Sequence, residues 1–181
     1  MTDTMWVFGY GSLIWNPEFP VAETRIARVQ GWRRSFCMRS IHHRGSEAAP
    51  GLVLALDVSP DHHCNGVTFR VVKGAEADTL AQLRERELIS SAYLETQVKA
   101  EWEDGDGCTA LAYVIDPDHW QYCGGIDLEE QAQIIAHAVG GRGANRDYLW
   151  STTAHLADLG ISDPELEWLA QRVRDLVRQF D

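Results

Sequence analysis

Two hydrophobic periods divide this chain, and their order limits the folds open to it. Up to about residue 115, apolar residues recur in short runs at every second position. From residue 127 onward they recur every third or fourth position. The first pattern is that of half-buried strands and the second that of amphipathic helices. Strand candidates are 5–9, 26–40, 52–58, 65–72, 93–102 and 108–115, rich in Val, Leu, Thr and aromatic residues. Within 26–40, Trp32, Arg34, Phe36 and Met38 share one face, and Arg33, Ser35, Cys37 and Arg39 share the other. The run Glu103-Asp-Gly-Asp-Gly107 is a hairpin turn between the last two strands. Short strands with turn signals between them make a small barrel or a strongly curved sheet.

Helices interrupt this pattern at 75–89 and then close the chain. Leu128, Ala132, Ile135 and Val139 form one stripe, and Leu149, Thr152, Leu156 and Leu159 a second. Leu166, Leu169, Ala170, Val173, Val177 and Phe180 form a third. These stripes are read as packing faces. Asp163-Pro164 opens the last helix and Gly160 ends the one before it. The expected class is α+β, a mainly antiparallel β-barrel-like core with flanking helices. It is expected as a single domain over 1–181, β-rich through 115 and helical from 127 to 181.

Charge and composition remove several functions. Sixteen basic residues against twenty-seven acidic ones leave a net charge of −11, which argues against nucleic acid as a partner and against binding to an anionic membrane. No run approaches eighteen apolar residues, and the first residues lack a basic and apolar leader pattern, so a cytoplasmic location is the expectation. The four cysteines Cys37, Cys64, Cys108 and Cys123 form no CxxC pair and are read as reduced core thiols. His42-His43 and His62-His63 are adjacent pairs, which on an extended chain point to opposite sides. No metal site is expected from them.

Three features point to chemistry. Phe8-Gly-Tyr-Gly-Ser-Leu13 follows an apolar strand directly, and its glycines let the backbone approach a ligand or make a plain tight turn. In the helix at 75–89, Leu80 and Leu83 define the apolar face. At about 100° per residue Glu87 falls between them in angle. A carboxylate there is either paired with a cation or kept partly desolvated, as a general acid/base would be. Glu85 and Arg86 read as solvated charges, with Arg84 at the edge of the stripe. Finally, Gly141-Arg-Gly-Ala-Asn145-Arg-Asp-Tyr148 is a glycine-rich helix entry. Asn145 is a candidate cap there, and Tyr148 either packs in the core or reaches toward a site.

The segment Trp6-Val-Phe-Gly-Tyr-Gly-Ser-Leu-Ile-Trp15 resembles the opening of the ChaC-type, glutathione-specific γ-glutamylcyclotransferases. The likeness continues through Gly31-Trp-Arg-Arg-Ser-Phe36, Ser40, His43-Arg44-Gly45, Pro50-Gly51, Gly66-Val67, Arg86-Glu87, Tyr93, Gly143, Asn145, Tyr148 and Leu149. It departs at Ile89-Ser-Ser-Ala92, where many relatives carry glycines. The resemblance implies the barrel-like fold and cleavage of glutathione to 5-oxoproline and cysteinylglycine, with no cofactor. It implies Glu87 as the general acid/base. It also implies a substrate cradle over Val7, Phe8, Gly9, Tyr10, Gly11, Ser12 and Leu13, with Tyr148 as a neighbour. Other γ-glutamyl amides, or a non-catalytic role in regulating cation transport, stay open as alternatives. Glutathione is itself anionic, and residues 21–46 hold six arginines against the single acid Glu23. That stretch is +5, leaving −16 elsewhere. Arg39 and Arg44 within it are the candidates for the glycyl carboxylate.

Overall fold

The computed structural model describes residues 4–88 and 91–180. Its elements run β1 (Trp6–Gly9), a short 3-10 turn (Ser12–Ile14), β2 (Val21–Ser40), β3 (Gly51–Val71), α1 (Glu76–Glu87), β4 (Tyr93–Trp102) and β5 (Gly107–Ile115). They continue with α2 (Leu128–His137), β6 (Val139–Gly140), β7 (Gly143–Ala144), α3 (Asn145–Asp158) and α4 (Pro164–Arg178). The chain forms two compact units. One holds the chain up to Ser35 and from Ala55 to Trp120. The other holds Phe36–Leu54 and Gln121–Asp181.

The first unit is a closed barrel of order β1-β3-β2-β4-β5. Neighbours are antiparallel through Trp6↔Arg70 to Gly9↔Val67, Ala27↔Trp102, and Tyr93↔Ile115 to Glu101↔Gly107. A parallel pairing, Val7↔Leu111, closes it. Inside lie Phe8, Val29, Leu56, Val98 and Val114, with Ala27, Ala100, Ala110 and Ala112 between them. Large and small side chains thus alternate to fill a narrow interior. The hairpin turn falls where expected, with Gly105 at φ 90 in the left-handed region that favours glycine.

One expectation changes here. The two strands read at 52–58 and 65–72 are a single strand, β3, that continues through Pro60. Residues 60–63 are exposed, and Ser59 Oγ lies 2.6 Å from His62 Nδ1. Proline is tolerated in a strand where its missing N–H faces solvent. A polar, proline-containing stretch reads locally as a turn, which is why the sequence pattern split it.

In the second unit α4 packs on α2 and α3. Asp163 caps α4 as expected, its side chain accepting from the Leu166 N–H, with Pro164 in the first turn. Gly160 follows α3 at φ 72. The helical stripes are buried except at their ends. Val139 leaves α2 for β6 and is exposed, Phe180 is half exposed against His137, and Leu176 rather than Val177 lies in the core. No helix among the described residues is long and apolar enough to cross a membrane.

Candidate active site

The loop leaving β1 is fixed from beneath. Val7 and Phe8 are wholly buried, so their side chains serve the core and only their backbone can face a ligand. Tyr10 also turns its ring into the barrel and donates its hydroxyl to the Tyr113 carbonyl at 2.5 Å. Gly11 and Leu13 are buried, while Ser12 and Ile14 are half-buried, Ser12 being the polar side chain of the turn. The turn closes through Ile14 N–H to the Gly11 carbonyl at 3.0 Å.

Two residues hold this backbone in place. Arg34 is 7% exposed and donates its Nε to the Tyr10 carbonyl at 2.8 Å and its Nη2 to the Asn65 carbonyl. A buried guanidinium needs such acceptors to offset its lost hydration. Gly66 lies against Gly9: a Cβ on Gly66 would stand 2.5 Å from the Gly9 carbonyl oxygen and 2.7 Å from the Phe8 ring. Gly66→Ala should therefore destabilise the chain by about 1–3 kcal/mol through overpacking. A urea titration reads this directly, and an unchanged midpoint would show that the loop yields freely.

Glu87 is the last residue of α1. Acids Glu76 and Asp78 in the first turn and bases Arg84 and Arg86 in the last suit the helix dipole. Thr79 and Leu83 are buried and Leu80 is half-buried, and the Glu87 side chain on that same face is 16% exposed. The angular reading of Glu87 thus agrees with its burial. Arg86 corrects another expectation. It is no solvated charge, its side chain being only 20% exposed. Its Nη2 donates to Ser12 Oγ at 3.0 Å and its Nη1 to the Asn16 carbonyl at 2.8 Å. The same guanidinium lies 3.2 Å from Glu18 and 3.4 Å from Glu87 Oε1. It ties the end of the helix to the loop after β1. Nothing in the local period announces this, because its partners lie about seventy residues away.

Beside Glu87 a second set of polar groups is already paired. Arg84, at the edge of the apolar stripe, grips Glu95 with two bonds of 3.0 and 2.9 Å. The Tyr113 hydroxyl donates to Glu95 at 2.9 Å. The Arg84 bond holds the Glu95 carboxyl below the usual range. Burial, then the bond to Glu95 and the charges of Glu95 and Glu87, push the Tyr113 phenol far above its ordinary value. The Glu87 carboxylate is therefore felt at Tyr113. Of the departing loop after α1, Ile89 and Ser90 lie outside the described residues. Ser91 has φ 60, the left-handed region that favours glycine.

Arg39, Arg44 and Tyr148 belong to the second unit. Tyr148 is 9% exposed and its ring meets Phe36 edge-on at 6.1 Å. Its hydroxyl accepts from the Leu54 N–H at 3.3 Å, and the Arg44 guanidinium lies 5.6 Å from its ring centre. Arg44 also donates to the Ala144 carbonyl at 3.2 Å. Arg39 is half-buried, and its carbonyl accepts from Gln121 Nε2 at 2.9 Å. Asn145 is not a cap, since Ala144 holds that position without a side-chain bond. Asn145 is wholly buried and binds both backbone groups of Leu52, accepting from its N–H and donating to its carbonyl at 2.8 Å each. His43 is held below its usual value, first by burial and then by the charges of Arg142, His42 and Arg44. Of the arginine-rich stretch, Arg25 is neutralised by Asp104 at 2.6 Å and stacks 3.9 Å over Trp102.

Residues 5–176 match the model of the ChaC-like protein family. The chain is 34% identical to a glutathione-specific gamma-glutamylcyclotransferase of Escherichia coli, over 97% of this chain and 75% of that one. It is also 34% identical to gamma-glutamylcyclotransferase 2-3 of Arabidopsis thaliana, over 98% of this chain and 92% of that one. Among solved structures, a gamma-glutamyl cyclotransferase specific to glutathione from yeast superposes with a TM-score of 0.86 at 23% identity. That alignment covers 96% of this chain and 97% of the other. It carries the fold, while the sequence relatives and the family match carry the kinship. The chain belongs to the ChaC-like protein family.

Proposed function

We propose that this chain is a glutathione-degrading γ-glutamylcyclotransferase with Glu87 as its general acid/base. The observation that carries the assignment is a carboxylate at the end of α1, largely shielded from water and tied through Arg86 to the glycine loop after β1. The sequence relatives support the reaction class by their names.

In this mechanism the nucleophile is the substrate's own α-amine. It attacks the γ-glutamyl carbonyl and closes a five-membered ring. Nucleophile and electrophile share one molecule, so the protein has mainly to hold a cyclisation-ready conformer, for which effective molarities of about 10⁵ M or more are available. The amine is protonated at neutral pH. Glu87 takes that proton, and the amine then forms the new C–N bond. As the old C–N bond breaks, Glu87 returns that proton to the departing amide nitrogen, and the ring nitrogen gives up its second proton, which the freed amine of cysteinylglycine takes up. The products are 5-oxoproline and cysteinylglycine. Backbone amides of Tyr10 to Leu13 hold the glutamyl carboxylate or the developing oxyanion. The partner is a small anionic peptide, for which the arginine-rich stretch 21–46 offsets the acidic total that argues against nucleic acid.

The assay is purified protein with glutathione and 5-oxoproline as the readout. Wild-type protein that releases none refutes the reading, and preference for another γ-glutamyl amide moves the substrate. Arg86→Ala should lower kcat about 10²-fold, the scale of a misplaced catalytic group. A KM change alone would make Arg86 a substrate ligand instead. Arg39→Ala or Arg44→Ala should raise KM with kcat kept if the residue binds the glycyl carboxylate, with Arg84→Ala as the control expected not to.

A further inference from the structure

In the second unit the segment 121–123 runs antiparallel beside the end of β2. Met38 and Tyr122 form a bridge. The Arg39 N–H donates to the Gln121 carbonyl at 2.8 Å, and the Cys123 N–H donates to the Cys37 carbonyl at 2.7 Å. These two bonds flank the bridge and set the register. With Met38 opposite Tyr122, Cys37 stands opposite Cys123. Opposed residues of an antiparallel pair send their side chains to one face. The Cys123 N–H bond to the Cys37 carbonyl makes this a hydrogen-bonded pair, whose Cα atoms lie about 5.5 Å apart, inside the range of about 4.4–6.8 Å that a disulfide spans.

The two thiols differ in access. Cys37 is 1% exposed, whereas Cys123 is half-buried. A small reagent therefore reaches Cys123 more readily than Cys37. Cys64 and Cys108 belong to the other unit, and no described pairing sets them opposite each other. None of the four cysteines is joined in a disulfide, and the proposed reaction uses none of them.

We propose that Cys37 and Cys123 are a modification site, a thiol pair that a low-molecular-weight disulfide converts into an intrachain disulfide. The Cys123 thiolate attacks one sulfur of the reagent. The reagent's S–S bond breaks, and its other half leaves as a thiolate that takes up a proton. Cys37, deprotonated in turn, attacks Cys123 Sγ and expels the second half of the reagent. The protein loses two electrons and two protons, and the reagent gains both as two thiols. Burial first, then Glu130, raises the Cys123 thiol against the opposing charge of Arg39. Little thiolate is present, and the exchange is slow. Burial pushes Cys108 further, to about 11, and it stays a thiol. The bridge would fasten the 121–123 segment to β2 across a long span of chain, and such long closures restrict the unfolded state most.

The test uses the reduced full chain and 2-hydroxyethyl disulfide, which carries no γ-glutamyl group and so does not depend on the proposed activity. After equilibration the protein is quenched in acid, unfolded, alkylated and mapped by mass spectrometry. The expected result is a monomer lighter by two hydrogens, with Cys64 and Cys108 alkylated and one cross-linked peptide joining Cys37 to Cys123. Its thermal midpoint should rise by about 5–10 °C on oxidation. Cys37→Ala should stop at a stable mixed disulfide on Cys123, and Cys123→Ser should remain unmodified. Four alkylated cysteines after equilibration, a cross-link to Cys64 or Cys108, or a lasting mixed disulfide in the wild-type chain would overturn the assignment. The wild-type map decides the matter even if a variant fails to fold.

Discussion

Glu87→Gln releases 5-oxoproline from glutathione about 10²–10⁴-fold more slowly than the wild-type chain, the range that a positioned general acid/base contributes. Glutamine keeps the size of the side chain and loses the ability to exchange a proton. The loss should fall on kcat, with KM little changed, because the amide still fills the same place beside Arg86. Folding is not the confounder. The side chain sits at a helix end, and its ion pair is one of four contacts that Arg86 makes. Thermal unfolding of the variant should match the wild type within a few degrees. Undiminished turnover in a folded Glu87→Gln variant would remove the carboxylate from the mechanism and leave cyclisation to orientation alone.

Asn145→Ala lowers stability by about 2–4 kcal/mol, a large part of the 5–15 kcal/mol typical of a folded domain. The side chain is wholly buried and satisfies a buried N–H and a buried carbonyl of the same residue, Leu52. Truncation leaves both groups in the core without that partner. The space near the amide is too small for easy repair. A Cβ on Gly51 would already stand 2.7 Å from Asn145 Oδ1. Asn145→Asp should be worse at neutral pH, because a carboxylate would then face the Leu52 carbonyl. Chemical denaturation of the two variants measures both effects, and a loss below about 1 kcal/mol for Asn145→Ala would show that water replaces the amide.

Much of this was legible in the sequence, for a physical reason. Period-two and period-3.6 patterns record which side of a segment is dry, so β4, β5, the turn between them and the buried parts of α2, α3 and α4 followed from spacing. Glu87 stood out by the same logic, as a charge at an angle reserved for leucine. Two failures have the opposite cause. Arg86 and Asn145 depart from the solvated charge and local cap that spacing predicts because they have partners far along the chain. The burial of Arg34 fits its place in the strand alternation, but the carbonyls it grips do not follow from that pattern. Pro60 misled in another way. Its exposed surroundings imitate a turn, while the strand runs on.

The position of β1 sets a timetable for the growing polypeptide. The strand that bears the glycine loop pairs with Arg70 through Val67 on one side and with Leu111 on the other. A ribosome makes about 5–20 residues per second. Several seconds therefore pass between the synthesis of Val7 and that of the strand which completes its seat. Through that interval this apolar strand has an unfilled edge and must be kept from foreign partners. The loop proposed to bind substrate is thus made long before the strand that completes its seat.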